Sequence, residues 1–194
     1  MACIALTKGR GLDCSRTSGG IKFVYFAVYS DVISTTLSSS AGILEVTDID
    51  MGAASLYRYA MPLGTASLTD TITGSRENGT IFYTPTLSLM LNKLTKEDQN
   101  EIRLLGQTKV IIFAQLNSTL ASGNDVIVAL GRVNGMELNA GTMDSGAAWG
   151  DRGGYTLTFD GMEAEPFPMV VDYTAAGTPF DNADSGSPIP IDPS

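Results

Sequence analysis

Thr65-Ala66-Ser67-Leu68-Thr69-Asp70-Thr71-Ile72-Thr73, followed after a turn by Thr80-Ile81-Phe82-Tyr83-Thr84-Pro85-Thr86-Leu87-Ser88-Leu89-Met90-Leu91, is the stretch that decides the fold. In the first arm Ser67, Thr69, Thr71 and Thr73 share one face. Leu68 and Ile72 lie on the other, with Asp70 the odd member of that face. In the second arm Ile81, Tyr83, Leu87, Leu89 and Leu91 oppose Thr84, Thr86, Ser88 and Met90, with Phe82 on the hydroxyl side. Alternation of period two over long arms rich in β-branched residues is the pattern of a half-buried strand. The connector Gly74-Ser75-Arg76-Glu77-Asn78-Gly79 ends in Asn-Gly, a pair that tolerates positive φ and signals a turn. The pattern therefore predicts a long hairpin with one greasy and one hydroxylated face.

After Leu91 the period changes. Thr95 precedes Asp98 by three residues, a shortened capping box in which the hydroxyl takes a free backbone N–H and the carboxylate meets the positive helix end. The spacing predicts a helix over Lys96–Leu105, with Leu91, Leu94, Ile102 and Leu105 as its packing face and Gly106 as a left-handed C-terminal stop.

Outward from this unit the chain reads as mostly antiparallel β. Ile21 to Tyr29 is apolar at almost every position, as a strand covered on both faces is, and Thr108 to Leu116 is a second such strand. Ile43 to Met51 alternates loosely, and Ser55 to Met61 carries Tyr57 and Tyr59 in phase. Asp125 to Val133 pairs back after a turn at residues 117–124, and Tyr155 to Phe159 closes the sheet. Residues 30–41 read as a Ser/Thr-rich loop, and 134–154 as a Gly-rich passage holding the lone Trp149.

The 194 residues, 43% of them hydrophobic and 17% charged, fit one globular domain. No run of about 18 apolar residues marks a transmembrane helix. The start, Met1 to Lys8, lacks a basic segment leading into an apolar core, so the expectation is cytosolic synthesis without a signal peptide. Cys3 and Cys14 read as two reduced thiols, with a bridge closing the N-terminal loop as the alternative.

The net charge of −9 is uneven. Glu163, Glu165, Asp172, Asp181, Asp184 and Asp192 put −6 into residues 163–194, where no Lys or Arg occurs, which leaves −3 for the rest. Six prolines (Pro166, Pro168, Pro179, Pro188, Pro190 and Pro193) break any ladder there. The division expected is a β domain over 1–162 and an acidic, Pro-rich arm over 163–194, lying outside the core and anchored at its start by Phe167 to Tyr173.

The composition excludes most catalysis. Histidine is absent, and with it the usual general base and metal ligand. Asp144-Ser145-Gly146 and Asp184-Ser185-Gly186 match the loop of aspartic proteases. Paired apolar lobes are missing, however, so both read as turns. No cofactor, metal or enzymatic activity is expected. Scarce Lys and Arg argue against tight phosphate binding but not against DNA sliding past. Tyr57 and Tyr59 read as packing or interface aromatics.

Thr73-Gly74-Ser75-Arg76-Glu77-Asn78-Gly79-Thr80, the arm Leu87 to Leu91, and Leu94 to Asp98 through Leu105 resemble bacteriophage tail tube proteins. So do Asn134-Gly135-Met136-Glu137, Gly141-Thr142 and the run Gly154 to Glu163. The resemblance implies an antiparallel β-sandwich or half-barrel with a long hairpin and one flanking α-helix. It implies six copies in a ring, their hairpins side by side as a continuous β-barrel, and stacked rings conducting viral DNA from capsid to host. Ser67, Thr69, Thr71, Thr73, Thr84, Thr86 and Ser88 are then expected to line the lumen, and Arg76, Glu77 and Asn78 to contact a neighbouring subunit. Implied partners are the chain itself, sheath, terminator and baseplate proteins, and DNA in transit without sequence-specific binding; no membrane is involved. The implied location is the virion tail, assembled in host cytoplasm. Rival readings are a tail terminator, baseplate ring, secretion-system tube or capsid-decorating protein, and a monomeric ligand-binding β-sandwich.

Overall fold

The hairpin forms along its full predicted length. In the computed structural model, which describes residues 10, 18–40, 42–184 and 186–193, strand β5 (Ala66–Ser75) pairs antiparallel with β6 (Thr80–Asn92) in unbroken register. Cys3 and Cys14 lie outside the described residues. The turn is tighter than expected, because Gly74 and Ser75 belong to β5. Only Gly79 takes a positive φ, of 63°, and the Ser75 hydroxyl accepts the Asn78 N–H. Pro85 is tolerated in β6 because β10 ends opposite Thr86, so no ladder bond needs its missing N–H.

The described chain further contains β1 (Ile21–Val28), a 3-10 turn at Tyr29–Asp31, β2 (Ser34–Leu37), β3 (Glu45–Asp50), β4 (Leu56–Ala60), α1 (Lys96–Leu105), β7 (Val110–Thr119), β8 (Asp125–Leu130), β9 (Glu137–Asp144), β10 (Gly154–Asp160), β11 (Met169–Val170) and β12 (Ile191–Asp192). They make two sheets. One has four strands in the order β5-β6-β10-β9, and the other eight, β12-β4-β1-β7-β8-β11-β3-β2. The fold is thus mostly β with one short α-helix, and the monomer contains no closed barrel. The large sheet is mixed, since β11 and β12 join β3 and β4 in parallel.

Alternation sets the layers. Along β1, Val24 and Phe26 face one side while Tyr25 and Ala27 face the other; Ile112 and Phe113 of β7 and Val128 and Ile127 of β8 do the same. The first side meets Leu87, Leu89, Leu157 and Phe159 of the small sheet. The second is roofed by the C-terminal segment, through Val170, Tyr173, Phe180 and Ala183. In order, the molecule runs hydroxyl face, four-stranded sheet, first core, eight-stranded sheet, second core, C-terminal segment.

This corrects the expected outer arm. Phe180, only 3% exposed, packs edge-on against Tyr25 and Phe113 with centroids 5.2 and 5.3 Å away. Of the six carboxylates that argued against burial only Glu163 is buried; the others keep some exposure, while single apolar residues between them turn inward. Asp181 takes the Thr174 and Ala175 N–H groups at 2.8 and 3.1 Å. Buried Glu163 accepts the Val133 and Asn134 N–H groups.

Helix α1 spans the predicted residues, with the Thr95 hydroxyl accepting the Asp98 N–H at 3.0 Å. Leu91, Ile102 and Leu105 pack on the first core, but no helix residue is fully buried. Leu94 is 44% exposed, because the chain reverses at Lys93 (φ 70°) and places it before the helix cap, off the packing face. Gly106 is no left-handed stop. It is right-handed at φ −70°, ψ −10°, and its N–H bonds back to the Ile102 carbonyl.

Candidate functional site

The residues expected to line a lumen do share one face. Cross-strand partners are Ser67 with Ser88, Thr69 with Thr86, and Thr71 with Thr84, while Thr73 stands opposite Phe82. Residues directly opposite in a sheet point the same way. The β5 members are exposed and Thr84, Thr86 and Ser88 half-buried, since β6 is flanked on both sides and β5 is an edge.

The hydroxyl face is wider than the hairpin. Strand β10 adds Thr158 opposite Ser88, Thr156 opposite Met90 and Asp160 opposite Thr86. Strand β9 adds Thr142 opposite Thr156 and Ala140 opposite Thr158. Thr156 and Thr158 were visible in the sequence as the polar alternates of Tyr155, Leu157 and Phe159. Thr142 sat in the passage taken as irregular. The face carries no cation from its own strands. Acids gather at one end, where Asp160 accepts the Asn139 side chain at 2.7 Å and Glu137 pairs with Lys109 at 3.2 Å. At the other end Arg152 donates to the Thr156 hydroxyl at 3.0 Å.

Among the described residues, both edges of this sheet, β5 and β9, lack a neighbouring strand. The tip residues Arg76, Glu77 and Asn78 are exposed, and Arg76 and Glu77 make no ion pair with each other. The last cross-strand support is Tyr83, which exchanges backbone hydrogen bonds with Glu163 at 2.8 Å. Ile72, the cross-strand partner of Tyr83, is 64% exposed on the apolar side; beyond that pair β5 and β6 have only each other as strand partners among the described residues, and Ile81 is 60% exposed on the same side. At the opposite end of the sheet the β9–β10 loop holds Trp149 fully in solvent. That loop is rigidified by Asp151, which accepts the Ala148 and Ala147 N–H groups at 2.6 and 3.0 Å; these bonds hold its carboxyl below the usual aspartate range.

Other polar features serve the core. Tyr25 donates to Gln115 at 2.8 Å, and Gln115 donates to Asp125, which pairs with Lys22. Burial pushes the Tyr25 and Tyr59 hydroxyls up to about 12. Tyr59 stacks edge-on to Phe26, and Arg58 lies over the Phe23 ring. Asp144 and Asp184 each cap a turn, accepting the Gly146 and Gly186 N–H at 2.9 Å.

No family model, no curated protein and no solved structure matches the chain.

Proposed function

We propose that the chain is the subunit of a bacteriophage tail tube. Six copies close into a ring, their four-stranded sheets joining into one barrel with the hydroxyl face inward, and rings stack into a conduit for viral DNA. The observation that carries this reading is a low-charge, hydroxyl-rich face shared by four strands, in a sheet whose two edges both lack a partner strand among the described residues. A two-stranded ribbon on its own is marginal in water, and open edges template pairing with other chains. Ring closure relieves both at once. The lining suits transit, because hydroxyls offer only weak, interchangeable hydrogen bonds, whereas clustered Lys and Arg grip phosphates. The C-terminal segment starts against β6, where Glu163 bonds Tyr83, and from Val170 onward it packs on the face of the eight-stranded sheet that is turned away from the four-stranded one.

Native mass spectrometry of the purified protein tests the stoichiometry. The expected species are six copies and multiples of six. A population that stays monomeric across concentration refutes the reading and favours a ligand-binding sandwich.

A further inference from the structure

The four strands β5-β6-β10-β9 alternate strictly in direction, so β5 and β9 run opposite ways. A copy related by rotation about an axis along the channel therefore lays its β5 antiparallel to β9 of the first. Such a joint preserves the faces: hydroxyls continue hydroxyls, and the apolar side of β5 meets the apolar side of β9. On that side the two edges are complementary. Beside β9 is an open groove of about 310 Å³ lined by Leu138, Gly141, Met143, Leu157, Tyr155 and Ile102. Gly141 keeps it open, since a Cβ there stands 3.1 Å from the Leu157 side chain. On β5 the apolar side ends in Ile72, which is 64% exposed.

The stagger of the joint follows from chirality and barrel geometry. The Met90 N–H bonds the Thr65 carbonyl, so odd-numbered β5 residues are those bonded to β6. With L-residues, and seen from the apolar side with β5 pointing up, this puts β6, β10 and β9 to its left. Barrel strands tilt right-handedly by about 35–45°. A row of hydrogen bonds followed leftward across four strands, each ~4.8 Å wide, then meets the next copy's β5 about 14–19 Å further along it, or about four to six residues. Within one copy the row of Leu68 ends on Leu138 and the row of Ala66 on Gly141. A shift of four brings the neighbour's Ile72 to Leu138; a shift of six brings it to Gly141. Either way Ile72 enters the groove, and β9 becomes the third strand that the projecting ribbon lacks.

We infer that Ile72 is the anchor of the contact between copies, seated in the β9–α1 groove of the adjacent subunit. This rests on the ring reading above and adds its register and its side chain. The test places Ile72→Cys with Leu138→Cys in a Cys3→Ser, Cys14→Ser background and adds a short thiol-to-thiol cross-linker to the assembled protein. The expected result is a covalent ladder ending at six copies, with only monomer from the pair Leu63→Cys and Leu138→Cys. Separately, Ile72→Asp is expected to abolish rings while leaving the melting curve of the monomer unchanged. Rings that form normally but give no ladder, or that survive Ile72→Asp, overturn this contact and leave the ring standing. Failure of the unsubstituted protein to form rings overturns both.

Discussion

Replacing Phe180 with alanine tests the packing of the C-terminal segment where it bears most on the core. The ring is 3% exposed and makes two edge-on aromatic contacts, with Tyr25 and with Phe113, beneath the eight-stranded sheet. Truncating a buried Phe typically costs about 3–5 kcal/mol through lost transfer energy and the cavity left behind. The two aromatic pairs, each ~0.5–1.5 kcal/mol beyond their area, place this site in the upper part of that range. For a chain of this size the expected fall in Tm is roughly 6–20 °C. Far-UV circular dichroism in urea is the suitable assay, because Trp149 is already in solvent when folded and reports little by fluorescence. Removal of the chain after Ala176 takes away Phe180, Ala183 and β12 together and should cost more. A loss below about 1 kcal/mol for Phe180→Ala, at unchanged urea dependence, refutes the burial of this segment.

Three further outcomes follow from particular contacts. Gly154→Ala should destabilise by about 1–3 kcal/mol or more, because a Cβ there meets the Leu91 carbonyl oxygen at 2.0 Å; equal melting of the variant shows that β6 and β10 are not so close. Asp70 has one buried carboxyl oxygen with no partner, and desolvation raises its pKa although the Phe167 N–H counters it. The raised value means that folding takes up a proton, so the penalty is absent below the ordinary aspartate range and complete once pH exceeds the folded-state value. Asp70→Asn should accordingly melt higher than the parent at pH 7 and converge with it in acid; a difference independent of pH contradicts the assignment. Thr86→Lys, on the half-buried hydroxyl face, should leave folding within about 0.5 kcal/mol but give assemblies that retain duplex DNA in low salt and release it in high salt. Retention equal to the parent's places Thr86 away from the DNA path.

The hairpin and helix were legible because each announces itself locally. Period-two alternation held across β5 and β6, and Thr95 and Asp98 marked the helix start that the capping bond confirms. β9 was not legible, since a bulge between Leu138 and Ala140 breaks its alternation and Gly141 interrupts what remains. Missing it left out one of the four strands of the hydroxyl face and concealed the second sheet edge. The C-terminal segment misled for a different reason. Val170 and Tyr173 fall in the stretch expected to anchor it, but Phe180 and Ala183 enter the core singly from irregular chain further on, and no periodicity records that. Composition correctly flagged six carboxylates, but not that short loops would satisfy them beside buried aromatics. Leu94 and Gly106 show the limit of reading helix ends from residue type, because a reversal at Lys93 and a right-handed Gly decided both.

The claim at the centre of the account is that the hydroxyl face encloses a channel in a ring of six. A cryo-electron microscopy reconstruction of the purified, assembled protein tests it most directly. The account predicts sixfold rings or tubes whose lumen is lined by Ser67, Thr69, Thr71, Thr86, Ser88, Thr156 and Thr158, with Leu87 and Leu89 facing the first core. Isolated single subunits, or a ring whose channel is lined by any other face of the molecule, contradict it.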